Sequence, residues 1–248
     1  MAATFCLRLA CGVILALPIL PTSQVPPRFY RVQFLLALSL LAVAAFFLYD
    51  TATIVFWIAW AAGVGCCFAG SVIWHLDEAP GGQALCWIGP PVLLASLIAG
   101  GITLNEGEPN AWRIADDVAS AAVLGSATTA MLMGHSYLIA PAMSMAPLLR
   151  LLVALGVSLG IRVSLACVGL WLWNTSRAGP AESELWLWLP TRWLLGLVGP
   201  LALGWMAWET ARIRSTQSAT GILYVVVIVS YLGELTSQLL VEKTGMLL

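Results

Sequence analysis

Eight apolar stretches alternate with short polar segments along this chain of 248 residues. Their expected bounds are 4–20, 32–49, 52–74, 85–104, 112–138, 148–173, 185–208 and 220–240. A helix needs roughly 17–25 apolar residues to cross a bilayer, and each stretch reaches that length, the first only just. The polar separators are about a dozen residues or fewer, so no soluble domain fits between them. The pattern predicts an all-α, polytopic helix bundle, a single transmembrane domain over 1–248 whose outer surface meets the lipid bilayer. Pro90-Pro91, Gly100-Gly101, Pro190 and Pro200 fall inside the expected spans. Such breakers are tolerated where neighbouring helices satisfy the freed backbone groups. The Gly156-x-x-x-Gly160 step in the sixth stretch suits close helix packing. Met1–Leu20 has one arginine and an apolar core like a signal peptide, but no small-x-small cleavage site follows. It is therefore read as a retained span.

Composition supports this picture. The chain is 60% hydrophobic and only 9% charged, against roughly 25% charged residues in soluble domains. A net charge of −1 offers no basic field for nucleic acid. The six cysteines include no C-x-x-C pair, which argues against a disulfide framework or a zinc site, and no metal site is expected. Gly-rich phosphate loops and His-Glu-x-x-His are likewise missing, so no catalytic residue is nominated.

Eight spans put both termini on one side of the membrane. The loops opposite the termini hold Arg28, Arg31, Arg150, Arg212 and Arg214. The terminal side has Arg113, Arg177 and Lys243, with Arg8 and Arg192 near span ends. Cytoplasmic loops carry the excess of Lys and Arg, so the bias favours termini outside.

With so few charges, those inside spans are informative. Ionisable groups at membrane depth are costly and need a partner or water. Asp116 and Asp117 lie at the entrance to the fifth stretch, and Gly134-His135-Ser136-Tyr137 at its exit. Asp117 and His135 are 18 residues apart, five helical turns, so they share a face about 27 Å apart along the axis. They are candidates for opposite ends of a proton or substrate route, or for residues solvated in the two interfaces. Arg162 and Glu234 are deeper. Arg162 would pair naturally with Glu234 or with an aspartate of the fifth span, as part of a route or as a fold-locking ion pair. His75, His135, Tyr137 and Arg150 fall near the opposite surface. His and Tyr there suit a quinone head group, with a nearby carboxylate moving protons, or contact with lipid headgroups and water. A bis-histidine haem b would need both rings well inside the bundle, and His75 lies beside Asp77 and Glu78 at or past a helix end, which weighs against it.

His75-Leu-Asp-Glu-Ala-Pro at a span end resembles the His-Leu-x-x-Pro element of the eight-span membrane anchors of dimethyl sulfoxide and polysulfide reductases, with one extra residue before the proline. Gly233-Glu234-Leu235 and Thr244-Gly245-Met246 are similar to the ends of some of those anchors. The resemblance implies a subunit without its own catalytic domain, exchanging electrons with quinol and serving an iron–sulfur partner, with His75 at the quinol site. Gly134-His135-Ser136-Tyr137-Leu138 also resembles an element of uncharacterised bacterial membrane proteins. The expected location is the bacterial inner (plasma) membrane. Three functions stay open: a quinol-interacting subunit of a redox complex, a small-solute or proton-coupled transporter, and a structural or assembly protein.

Overall fold

A computed structural model describes residues 1–76, 80–104, 111–140, 143–176 and 185–244. Asp77, Glu78, Arg177, the acidic segment 105–110 and Glu182 and Glu184 lie outside the described residues. The chain is a bundle of helices: α1 (Ala2–Leu15), α2 (Pro27–Leu48), α3 (Ile54–Ile73), α4 (Gly82–Leu104), α5 (Ala111–Ile139), α6 (Ala146–Ser176), α7 (Leu185–Trp193), α8 (Gly199–Arg212) and α9 (Thr216–Thr244). Among the described residues eight helical segments are long and apolar enough to span a membrane, with α7 and α8 continuing one another in the seventh. The all-α, multi-span expectation holds.

Several helices run past their apolar stretches. At 29 residues, α5 extends about 42 Å, beyond the ~30 Å hydrocarbon core. Its ends therefore stand in the interfaces. α2 begins at Pro27, earlier than expected, so Arg28 and Arg31 are helical instead of lying in a loop. Proline is at home in a first helical turn, where its missing N–H is not needed. Thr53 caps α3, its hydroxyl accepting from the Phe56 amide at 3.4 Å. In the seventh span, a π turn over Leu194–Val198 joins α7 to α8, just ahead of Pro200. Proline removes one i→i−4 bond, and a widened turn absorbs that loss. Arg214 follows α8 with φ 60°, the left-handed conformation that reverses the chain into α9.

The two halves of the chain are wired alike. In the first, α1 packs on α2, α2 on α3, α3 on α4 and α4 back on α1. In the second, α5 packs on α6, α6 on α8, α8 on α9 and α9 back on α5. The rings meet chiefly along α1 and α5, the first helix of each. These two run parallel: Arg8 meets Asp117, and four residues on, Gly12 meets Ala121 and Gly125. Gly12 and Gly125 set the separation of the two axes. A Cβ on Gly12 would lie 2.9 Å from the Gly125 nitrogen and run into the Ala121 carbonyl, while one on Gly125 would enter the Gly12 backbone. Gly196 and Gly233 make a similar backbone approach between the π turn and α9. The Gly156-x-x-x-Gly160 step, by contrast, makes no close helix contact. Both residues are exposed, and a Cβ on either would meet nothing within 4 Å. Small residues permit close packing only when they face another helix.

This contrast yields an expected outcome. Gly125→Ala overpacks the seam and lowers stability by about 1–3 kcal/mol, whereas Gly156→Ala is close to neutral. Reversible denaturant titration in mixed micelles reads both, and equal effects from the two substitutions would contradict the assigned seam.

Candidate functional site: a buried charge cluster beside a polar cavity

The seam continues toward the terminal face as a cluster of ionisable side chains. Arg8 lies one and a half turns into α1, and Asp116 and Asp117 sit at comparable depth in α5. Because the two helices start on the same face and run parallel, these groups meet. Arg8 is 6% exposed, Asp116 3%, Arg162 4% and Glu234 5%. Charges so far from water persist only with close partners.

Arg8 touches all three carboxylates. Its Nε donates to Asp117 Oδ1 at 2.8 Å, and its Nη2 donates to the same oxygen at 2.5 Å and to Asp116 Oδ2 at 3.2 Å. Its Nη1 pairs with Glu234 and also reaches Ser120 Oγ at 3.4 Å. Arg162, from α6, pairs closely with Asp116, lies 3.6 Å from Glu234 Oε2 and donates to Ser237 Oγ at 3.1 Å. Gln238 donates to Glu234 at 3.2 Å. Arg192 of α7 is 2% exposed, and its Nε and Nη2 have no hydrogen-bond partner among the described residues. Gly196, one turn on, leaves room for that guanidinium, since a Cβ there would strike Arg192 Nη1. Arg8, Arg162 and Arg192 thus balance Asp116, Asp117 and Glu234. Fully ionised, the cluster is neutral.

A cavity of about 480 Å³ abuts the cluster, within the roughly 300–1,000 Å³ typical of small-molecule sites. Arg8, Asp117, Ser237 and Gln238 form its floor, and Thr4 and Arg113 its walls. Met1, Leu104 and Glu242, at the ends of α1, α4 and α9, form a mouth on the face that carries the termini. Guanidinium, carboxylate, hydroxyl and amide groups therefore meet one space reached from one side of the membrane. Such a lining can accept from and donate to a small polar molecule, and it offers both signs of charge.

The sequence candidates divide sharply. Asp116, Asp117, Arg162 and Glu234 come together, and Arg162 takes the aspartate as its closer partner. Arg8 and Arg192 were expected near span ends. They belong instead to the cluster, and Arg8 is its hub. The clue was depth: a lone arginine four residues inside the first apolar stretch lies level with Asp116 and Asp117 once both stretches are drawn from the same face. His135 is exposed although Asp117 is buried, because it lies on the outward side of α5, whose neighbouring Met133, Gly134 and Tyr137 are buried. His75 is exposed, and Arg31 Nη1 lies 3.1 Å from its Nδ1. Tyr137 is buried and donates to the Ser144 carbonyl at 2.5 Å, pinning the turn into α6. No family model matches the chain, and no curated protein or solved structure matches it either.

The ion pairing predicts strong coupling. Arg162→Leu leaves Asp116 and Glu234 short of a buried cation and costs about 3–5 kcal/mol. Adding Asp116→Leu restores neutrality and recovers at least half of the loss. Unfolding of single and double variants in mixed micelles measures the coupling, and additive losses would contradict the pairing.

Proposed function

We propose that this multi-span membrane protein binds a small polar solute in the cavity on its terminal face and carries it across the bilayer. The observation that carries this reading is the juxtaposition of a solute-sized polar cavity with the buried ion cluster at the joint between two similarly wired halves. A purely fold-locking ion pair needs no cavity beside it. Here Arg8, from the first half, holds Asp116, Asp117 and Glu234, all from the second. Any rocking of one half against the other stretches those bonds. The tight Gly12–Gly125 approach acts as a pivot and the charges above it as a latch. A solute with donor and acceptor groups, or a proton delivered to a carboxylate, competes for the same partners and releases the latch. Repeats related by an axis along the membrane normal are one established transporter plan, and the parallel α1 and α5 fit that plan.

The burial of Arg8 and Arg192 also sharpens the orientation. Neither counts as a loop charge, so the terminal side keeps Arg113, Arg177 and Lys243 against Arg28, Arg31, Arg150, Arg212 and Arg214 opposite. The positive-inside rule then supports termini outside, with the cavity opening outward. A quinol-handling role within a redox complex is the second reading. It rests on His75 and Tyr137, whose Nδ1 and hydroxyl are engaged by Arg31 and the Ser144 carbonyl.

Thermal unfolding of the purified full chain, screened against amino acids, organic acids, amines and sugars, tests the proposal, with uptake into proteoliposomes as the second readout. At least one class raises the unfolding temperature and is taken up. Thr4→Trp, which fills the cavity without touching an ion pair, abolishes both effects while leaving the unliganded protein folded. Stabilisation that survives Thr4→Trp, or a full panel without effect, would overturn the assignment.

A further inference from the structure

A second cleft lies on the opposite face, where the start of α2 meets the end of α3. Its volume is about 950 Å³. Arg28, Arg31 and His75 line its polar end, and Val32, Leu35 and Leu76 its apolar flank. Those three apolar residues are 49%, 42% and 49% exposed, so the flank opens outward from the bundle, toward the acyl region of the bilayer. The cleft is preformed. Tyr30 of α2 stacks on Trp74 beyond α3 with ring centroids 4.3 Å apart, and the Tyr30 hydroxyl donates to the Leu20 carbonyl at 3.3 Å.

The hydrogen bonding fixes what the polar end presents. Arginine has no acceptor, so in the Arg31–His75 contact the guanidinium donates and His75 Nδ1 accepts. The Nε2 side of the ring is then the one that presents an N–H to the cleft. The described polar side chains that reach the cleft, Arg28, Arg31 and His75, therefore offer donors and two fixed positive charges. A ligand that complements them has several acceptor oxygens, a negative charge and an apolar tail. We propose that this cleft binds the headgroup phosphate of an anionic phospholipid, with the acyl chains along Val32 and Leu35. Guanidinium pairs recognise phosphate through paired N–H groups. A neutral quinone ring would leave the two charges uncompensated. This face carries Arg28, Arg31, Arg150, Arg212 and Arg214 at its helix ends and turns, and is the side expected to meet anionic lipid. The inference stands independently of solute transport at the other face.

The test uses the full chain, delipidated in detergent and titrated with phosphatidylglycerol or phosphatidylcholine under native mass spectrometry. Phosphatidylglycerol binds in preference, and Arg28→Gln with Arg31→Gln weakens it by about fivefold for each arginine lost. Arg28→Gln alone, on an exposed side chain, gives the single step should the double variant fold poorly. Arg212→Gln with Arg214→Gln, on the same face, leaves the affinity unchanged. Equal affinity in wild type and Arg28→Gln, or an equal loss in the Arg212 and Arg214 variant, would overturn the site. Displacement of the lipid by millimolar inorganic phosphate would assign it to a soluble anion. Displacement by decylubiquinone in preference to phosphatidylglycerol would assign it to a quinone, and either result defeats the proposal.

Discussion

A guanidinium enclosed in a helix bundle is the constraint that organises this molecule. Arg8 cannot be left unpaired at that depth, because an isolated charge removed from water is strongly destabilising. Its partners come from α5 and α9, helices that begin or end on the same face as α1. Satisfying Arg8 therefore fixes which end of α9 meets α1 and at what depth, and it ties the first ring of four spans to the second. Arg162 and Ser237 extend the same bonds toward α6. The packing follows suit. Gly12 and Gly125 let two backbones approach below the cluster, so that short carboxylates on α5 reach the arginine on α1. Apolar association alone would specify little here, since lipid tails are as apolar as leucine and give helices no strong reason to choose one neighbour over another.

The same cluster supplies the chemistry. Buried ion pairs contribute less to net stability than to selecting one arrangement. At the edge of a cavity they also become replaceable, because an entering solute can take over part of a bond already made. Arg8 and Asp117 stand at that edge, whereas Asp116 and Arg162 lie behind them. Arg192 lies buried beside this set, with two nitrogens that have no hydrogen-bond partner among the described residues. The two faces of the protein thus differ in chemistry: a balanced, buried cluster beside a polar cavity on the terminal side, and a cleft of cationic donors on the other.

Spans were legible in the sequence because length and hydropathy are one-dimensional properties. Eight stretches became eight crossings, and the errors lay at the ends, where helices such as α5 and α2 continue into the interface. Depth was legible in part: Arg162 and Glu234 read as deep charges in search of partners, whereas Asp116 and Asp117 read as lying at the entrance of their span. Rotation about each helix axis was not legible. In a membrane helix the side facing lipid and the side facing protein are both apolar, so periodicity reports little about which way a residue points. That is why Gly156 and Gly160 looked like a packing motif and face outward, and why His135 looked aligned with Asp117 and is exposed. Arg8 was obscured by its place near the chain start, where a lone arginine reads as a flank. Its contacts to Asp117 and Glu234 span 109 and 226 residues, separations that no local pattern encodes.

Binding at the ion cluster requires that water and small solutes reach it from the terminal face. Side-specific cysteine modification shows whether they do. In a cysteine-free background, Thr4→Cys stands on the cavity wall and Leu124→Cys in the bundle interior, where the native leucine is 1% exposed. A membrane-impermeant maleimide applied to oriented vesicles should modify Thr4→Cys from the terminal side only and leave Leu124→Cys intact. Protection of Thr4→Cys from both sides, or labelling from the opposite face, would contradict the account.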